Sequence, residues 1–271
     1  MTPPVDILIV SYNTKDDLLR CLASIFAHPP ASLGSVVVVD NASADGSADA
    51  VRAAWPNVRV IAMDRNVGFA AANNRAIQAT TSPLILLLNS DTVVPAGAID
   101  TLIDRLLVTN AVAAGPRLVD AGGRPEVSFG RDLTPLAELM QMIRVRLAAG
   151  SSALARDYTS RLVRRERDVD WVTGACLLVR REAALAAGMF DQRYFMYEED
   201  VDFCAALRHA GGRILFTPAA EITHLRGRSA GGSPAAVSAY YDRSHLAFYE
   251  KHQPGWVPLL RGWLRLRGRT K

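Results

Sequence analysis

The chain has 271 residues, 49% hydrophobic and 21% charged, which suits one large α/β domain or two small ones and excludes a disordered chain. Its formal charge of +4 is modest but uneven, with arginine gathered between Arg144 and Arg167 and again from Arg261 to Lys271. Three cysteines without metal-ligand spacing fit reduced thiols, no secretion-type leader opens the chain, and no apolar run is long enough to cross a bilayer, so a cytosolic location is expected.

In chain order, the first half alternates regularly. "VDILIVSYN" reads as a buried strand, "KDDLLRCLASIFA" as an amphipathic helix and "SVVVVDNAS" as a second strand ending in turn residues. "ADGSADAVRAAW", "VRVIAMD", "GFAAANNRAIQA" and "PLILLLNSD" continue as helix, strand, helix and strand, with a further helix expected near Pro95. Short apolar strands separated by helices imply a mostly parallel sheet flanked by helices. Polar residues fall just beyond the strand ends: Ser11, Asn13, Asp40, Asn41, Asn66, Asn89 and Asp91. Ligands of open α/β sheets bind at that edge. No G-x-G-x-x-G follows the first strand, which disfavours a dinucleotide.

The second half is less regular. "LVDAGGRPEVSFG" reads as a hairpin or loop, residues 134 to 166 as one or two basic helices, and "DWVTGACLLVRR" as a strand. "REAALAAGMF" is a short helix, "EEDVDFCAALRHAGG" a longer one stopped by Gly211 and Gly212, and "GRILFTP" a strand. "RGRSAGGSP", from Arg226, is expected to be mobile.

Four places can carry chemistry. Asp40 ends a strand and can accept from a ligand N–H, although Asx turns use the same residue type. Asp91, beside Asn89 and Ser90, suits a hard divalent cation that also takes diphosphate oxygens, although a helix cap explains it as well. Glu198, Glu199, Asp200 and Asp202 crowd one helix start. The macrodipole favours one or two acids there, but like charges one turn apart repel. A crowded, enclosed carboxylate has a raised pKa and takes a proton from a hydroxyl more readily. His224 ends a strand and is either an ordinary packed histidine or a metal ligand.

Taken together, "VSYN" (10–13), "VVDNASADGS" (38–47), "NVGFAAANNRAI" (66–77), "LLLNSD" (86–91), "GACLLVRR" (174–181), "FDQRYFMYEEDVDFC" (190–204) and "ITHLRGRS" (222–229) resemble the family 2 inverting glycosyltransferases, in their rhamnosyltransferase-like branch. The resemblance covers residues 5 to 230. It implies a GT-A fold over residues 1–230, with 231–271 a basic amphipathic extension packed on the core or a membrane surface. It also implies a nucleotide-diphospho-sugar donor, dTDP-rhamnose or a UDP-sugar, and Mg2+ or Mn2+. By motif, Asp40 contacts the pyrimidine, while Ser11, Tyr12, Asn13, Asn66, Gly68, Asn74, Asn89, Ser90 and Asp91 line the nucleotide-sugar side. Asp91 and His224 bind the metal, with Asn89 standing where relatives carry the first acid of D-x-D. Asp200 is the base, Glu199 supports it, and Glu198 and Trp171 bind a saccharide or lipid-linked acceptor.

Two other readings are weaker. Nucleotidyl transfer needs a Gly- and Lys-rich phosphate loop that "VSYNTKDDLL" lacks, and a sugar-nucleotide-binding pseudoenzyme predicts loss of Asp91 or Asp200. "AELMQMIRVRLAAG" and "WVPLLRGWLRLRGRTK" mix apolar residues with arginine at helical spacing, which suits either an anionic membrane surface or a solvated basic face. No nucleic-acid motif accompanies the arginines.

Overall fold

The computed structural model describes residues 2–131, 134–150, 152–225 and 234–266. The Gly- and Ser-rich stretch, apart from Pro234, and the last five residues of the basic tail lie outside them. The expected alternation is present as β1 (Val5–Ser11), α1 (Lys15–Ala27), β2 (Leu33–Asp40), α2 (Ser47–Ala54), β3 (Arg59–Ala62), α3 (Phe69–Gln78) and β4 (Leu84–Asn89). β5 (Thr92–Val93), α4 (Ala98–Thr109), β6 (Ala113–Val119) and β7 (Phe129–Gly130) follow. The basic region is two helices, α5 (Pro135–Ala149) and α6 (Ala153–Leu162), each capped by a side-chain oxygen, from Thr134 and Ser152.

The single strand expected over "DWVTGACLLVRR" is three: β8 (Arg167–Val169), β9 (Trp171–Val172) and β10 (Cys176–Arg180). The chain then runs through α7 (Arg181–Ala186), α8 (Glu199–His209), β11 (Ile214–His224), α9 (Pro234–His252) and α10 (Val257–Leu266). β6 escaped the sequence reading because Pro116 interrupts its pattern; β11 is longer than expected because it continues through an irregularity between Thr217 and Glu221.

Among the described residues, eight strands follow the order β3-β2-β1-β4-β10-β6-β11-β5, with β8 also on β11. The half built from β3, β2, β1 and β4 is parallel. β10 returns antiparallel between β4 and β6, so the other half is mixed. One face of the sheet packs Ile7, Ile9 and Leu86 against Leu18, Leu22 and Ile25 of α1 and Leu102 and Leu106 of α4. The other packs Leu8, Val37 and Leu87 against Ala72 and Ile77 of α3 and Phe203 and Leu207 of α8. Strands buried on both sides explain why their sequences are continuous apolar runs. α9 is held to α8 by a small cluster of Tyr194, Val201, Phe248 and Tyr249.

Candidate active site

A cavity of about 620 Å³ opens beside the C-terminal ends of β4 and β11. Its walls include Asn89, Glu126, Trp171, Gly174, Glu198, Glu199, Asp200 and His224. Distant parts of the chain are stitched together around it. The Asn89 N–H at the end of β4 donates to the Ala175 carbonyl at 3.0 Å, and the Gly174 N–H next to it donates to Asp200 Oδ2 at 2.8 Å. On the opposite flank, β11 pairs His224 with Thr92, and the Leu225 N–H reaches the Asp91 carbonyl at 2.8 Å. The His224 ring therefore stands 3.3 Å from Asp91 Oδ1 through Nε2 and 3.5 Å from Glu126 through Nδ1. Burial disfavours charge on His224, but Asp91 and Glu126 outweigh it and lift the imidazole to about 9.

The four acids do not form one cluster. Asp202 turns away from the cavity, takes hydrogen bonds from Lys251 at 2.9 Å and Tyr194 at 3.3 Å, and lies 2.6 Å from His252 Nε2. Burial opposes its charge, yet His252 and Lys251 hold it below the usual carboxylate range. Asp202 is thus an anchor for α9, which relieves the expected repulsion with Glu198.

Glu198 caps α8 in the left-handed region at φ 63°, directly after Tyr197 at φ 71°. Such a pair of non-glycine residues persists only where surrounding contacts impose it. The contact here is His245, whose Nδ1 lies 3.3 Å from Glu198 and whose Nε2 lies 3.1 Å from Glu138 of α5. Tyr249 donates to the other Glu138 oxygen at 2.7 Å.

Glu199 and Asp200 differ in surroundings although adjacent. Burial lifts both carboxyls, Glu199 the more strongly because Asp200 and Glu198 add like charge. Asp200 is partly compensated by the Gly174 and Val201 N–H groups, whereas Glu199 Oε2 is buried without a hydrogen-bond partner among the described residues. Of the two, Glu199 keeps its proton more readily and Asp200 ionises the more easily.

Of the residues expected on the nucleotide-sugar side, Asn89 lines this cavity, and the others lie outside its walls. Ser11 and Ser90 are linked through Thr14 at 3.0 and 2.9 Å, which ties β1 to the Asp91 loop. Tyr12 is half-buried, and Asn13 braces the next loop by accepting from the Ala44 N–H at 2.7 Å. Asp40 uses one oxygen in a turn with the Ser43 N–H; its other oxygen is buried without a partner among the described residues. Asn66 accepts from Asn41 and from the Gly68 N–H, while Gly68, at φ +85°, sits so close to Phe195 that a Cβ would collide with its carbonyl. Asn74 has a different task from the one expected: both polar atoms of its amide bind the Phe190 backbone, at 2.8 and 2.9 Å. Trp171 lines the cavity and donates through Nε1 to the Arg131 carbonyl at 2.8 Å.

Three participants were missed in the sequence. Glu126 sits in the hairpin after β6, Glu138 is the one acid in "AELMQMIRVRL", and His245 lies in a helix read only as an extension. An isolated acid inside a basic stretch was the only signal any of them gave.

A divalent cation can be tested against the donor atoms. Asp91 Oδ1, which faces His224 Nε2 at 3.3 Å, and Asn89 Oδ1 are buried without hydrogen-bond partners among the described residues. No group of three or more His, Cys, Asp or Glu side chains there is arranged to hold a metal by itself. Asp91, and His224 once its ring gives up the proton that Asp91 and Glu126 favour, fit a cation that draws its remaining ligands from diphosphate oxygens and water.

Comparison with known proteins agrees with this architecture. The family described as "Glycosyltransferase like family 2" matches residues 3–247. An N-acetylglucosaminyl-diphospho-decaprenol L-rhamnosyltransferase of Mycobacterium tuberculosis is 34% identical over 295 residues, covering 98% of this chain and 92% of the relative. Among solved structures, the mannosyltransferase PcManGT of Pyrobaculum calidifontis, in complex with GDP-Man and Mn2+, aligns with TM-score 0.63 at 18% identity, over 96% of this chain and 69% of that one. GalNAc-T7 with UDP, GalNAc and Mn2+ aligns with TM-score 0.62 at 18% identity, over 92% of this chain but only 50% of its own.

Proposed function

The chain belongs to the family 2 glycosyltransferases, and from that premise we propose that it moves rhamnose from dTDP-rhamnose to a hydroxyl of a lipid-diphosphate-linked saccharide in cell-surface polysaccharide synthesis. The observation that carries this is one cavity with Asp200 on one wall and His224, in contact with Asp91, on another. A proton acceptor and a diphosphate-binding flank then meet the same substrate pair.

In this reading Asp200 takes the acceptor hydroxyl proton as the oxygen attacks the anomeric carbon. The carbon's bond to the diphosphate breaks in the same displacement, and the configuration inverts. Burial raises the affinity of Asp200 for that proton, and the Gly174 N–H keeps the carboxylate aimed. Glu199 supports the base, while Glu198 and Trp171 hold the acceptor. Asp40, with Ser11, Tyr12, Asn13, Asn66 and Gly68 around it, takes the nucleotide end. Asp91 and His224 would hold Mg2+ or Mn2+, which when bound stabilises charge on the departing diphosphate.

The test is nucleoside diphosphate release from a donor panel (dTDP-rhamnose and several UDP-hexoses) with a lipid-diphosphate-linked amino-sugar acceptor. Turnover with dTDP-rhamnose, abolished in Asp200→Asn, supports the reading. Turnover with a UDP-hexose alone would replace the donor, and release from no donor would overturn transfer itself.

A further inference from the structure

α5 is two-faced in an unusual way. Glu138, Gln141, Met142, Val145 and Arg146 line the cavity. Leu136, Leu139, Met140, Ile143 and Leu147 recur at three- and four-residue steps on the other side, each between 44% and 71% exposed. Five large apolar side chains in one solvent-facing stripe are not a normal feature of a free surface.

The charge around the stripe selects its occupant. Between residues 134 and 166 stand six arginines and three acids. Glu138 pairs with His245 and Glu166 with Arg105 inside the fold, while Asp157 is neutralised by Arg161 on the surface of α6. With six arginines against three acids the segment carries a formal charge of +3, so the apolar stripe lies in a cationic region complementary to an anionic bilayer. At 15 residues α5 is about 22 Å long, too short to span a membrane, and no described helix is long and apolar enough to do so. A helix of this kind lies in the interface, with apolar side chains among the acyl chains and arginines at headgroup level.

We infer that the outer stripe of α5 docks on an anionic lipid bilayer, so that one helix is both the membrane contact and a wall of the cavity. The mouth of the cavity is thereby held at the headgroup plane. Its use in presenting a lipid-linked acceptor rests on the proposed transferase reading; the docking itself does not.

The test is co-sedimentation of the full chain with phosphatidylglycerol–phosphatidylcholine vesicles. Wild type is expected to bind, and less with added salt or on pure phosphatidylcholine. Leu139→Ser/Ile143→Ser, both outside the cavity wall, is expected to weaken binding at least about tenfold. Leu136→Ser/Leu147→Ser repeats the test on the same stripe should the first pair unfold. Leu259→Ser/Leu266→Ser, on the exposed side of α10, is expected to retain binding. Wild type that fails to bind, loss confined to the α10 variant, or a dimer in sedimentation that α5 substitution dissolves would each overturn the proposal. Turnover with a water-soluble short-chain acceptor should be unchanged in the α5 variants, while turnover with acceptor embedded in vesicles falls. Wild type that binds vesicles but transfers to neither acceptor defeats the transferase reading and leaves the docking intact.

Discussion

The Gly174 N–H donates to Asp200 Oδ2 at 2.8 Å, and the neighbouring Ala175 carbonyl accepts from Asn89 at 3.0 Å. Two backbone bonds thus place the start of α8 against the end of β4, 111 residues away in sequence from Asn89 to Asp200. The carboxylate is held both by the sheet edge, through Gly174, and by the Val201 N–H of its own helix.

Replacing Asp200 by Asn keeps its size and one oxygen to accept from the Gly174 N–H, but its NH2 cannot accept from the Val201 N–H and the basic oxygen is gone. Transfer is expected to fall by about 10²- to 10⁴-fold while donor affinity is retained. Calorimetric binding of donor alongside turnover checks this; turnover near wild type would remove Asp200 from proton transfer.

The cation proposal is checked by Asp91→Asn and His224→Ala, with isothermal titration of Mn2+ in the presence of nucleoside diphosphate. Both variants are expected to weaken the ternary complex by about tenfold or more, and a chelator to silence wild type. Equal Mn2+ affinity in all three proteins would show that other groups hold the ion.

His245 bridges Glu198 and Glu138, and its imidazole is lifted from 6.5 to about 9: burial opposes its charge, but the two carboxylates outweigh it. The stabilisation from that charge is complete below pH 6.5 and is lost as pH rises through 9. His245→Gln is expected to cost about 3 kcal/mol at pH 6, because it leaves the buried Glu198 and the half-buried Glu138 without their cation. The gap in melting temperature from wild type should then close towards pH 9.5. A gap independent of pH would mean that shape, not charge, is what His245 contributes.

Asp202 offers the opposite dependence. Its carboxyl is held low by His252 and Lys251 against the cost of burial, so its stabilisation is present above the ordinary carboxylate pKa and disappears as pH falls below it. Asp202→Asn is expected to destabilise by about 1–3 kcal/mol at pH 7 and to flatten acid unfolding between pH 5 and 2, with donor KM unchanged. A raised donor KM with unaltered stability would place Asp202 in the site after all.

Gly68 combines φ +85° with close packing on Phe195, whose carbonyl also accepts from the Phe69 N–H at 2.7 Å. Gly68→Ala is expected to cost about 1–3 kcal/mol through backbone strain and to displace the Phe195–Glu198 segment. Reduced kcat together with a lower melting temperature is the expected pair of readouts.

The sequence alone revealed the alternating strands of the first half, since apolar runs bounded by turn residues follow from burial on both faces. Asp40, Asp91, Asp200 and His224 stood out there because acids and a histidine at strand ends or a helix start are chemically conspicuous. Tertiary structure decided what they meet. Four crowded acids became an anchor, a cap, a buried neighbour with an unpartnered oxygen and a carboxylate held by amides only when Lys251, His245 and the Gly174 amide arrived from elsewhere in the chain. β6 was hidden by a proline, and Asn74 was claimed by the Phe190 backbone. Local pattern records which side chains are apolar or ionisable, but the partners that set their charge are chosen by long-range packing.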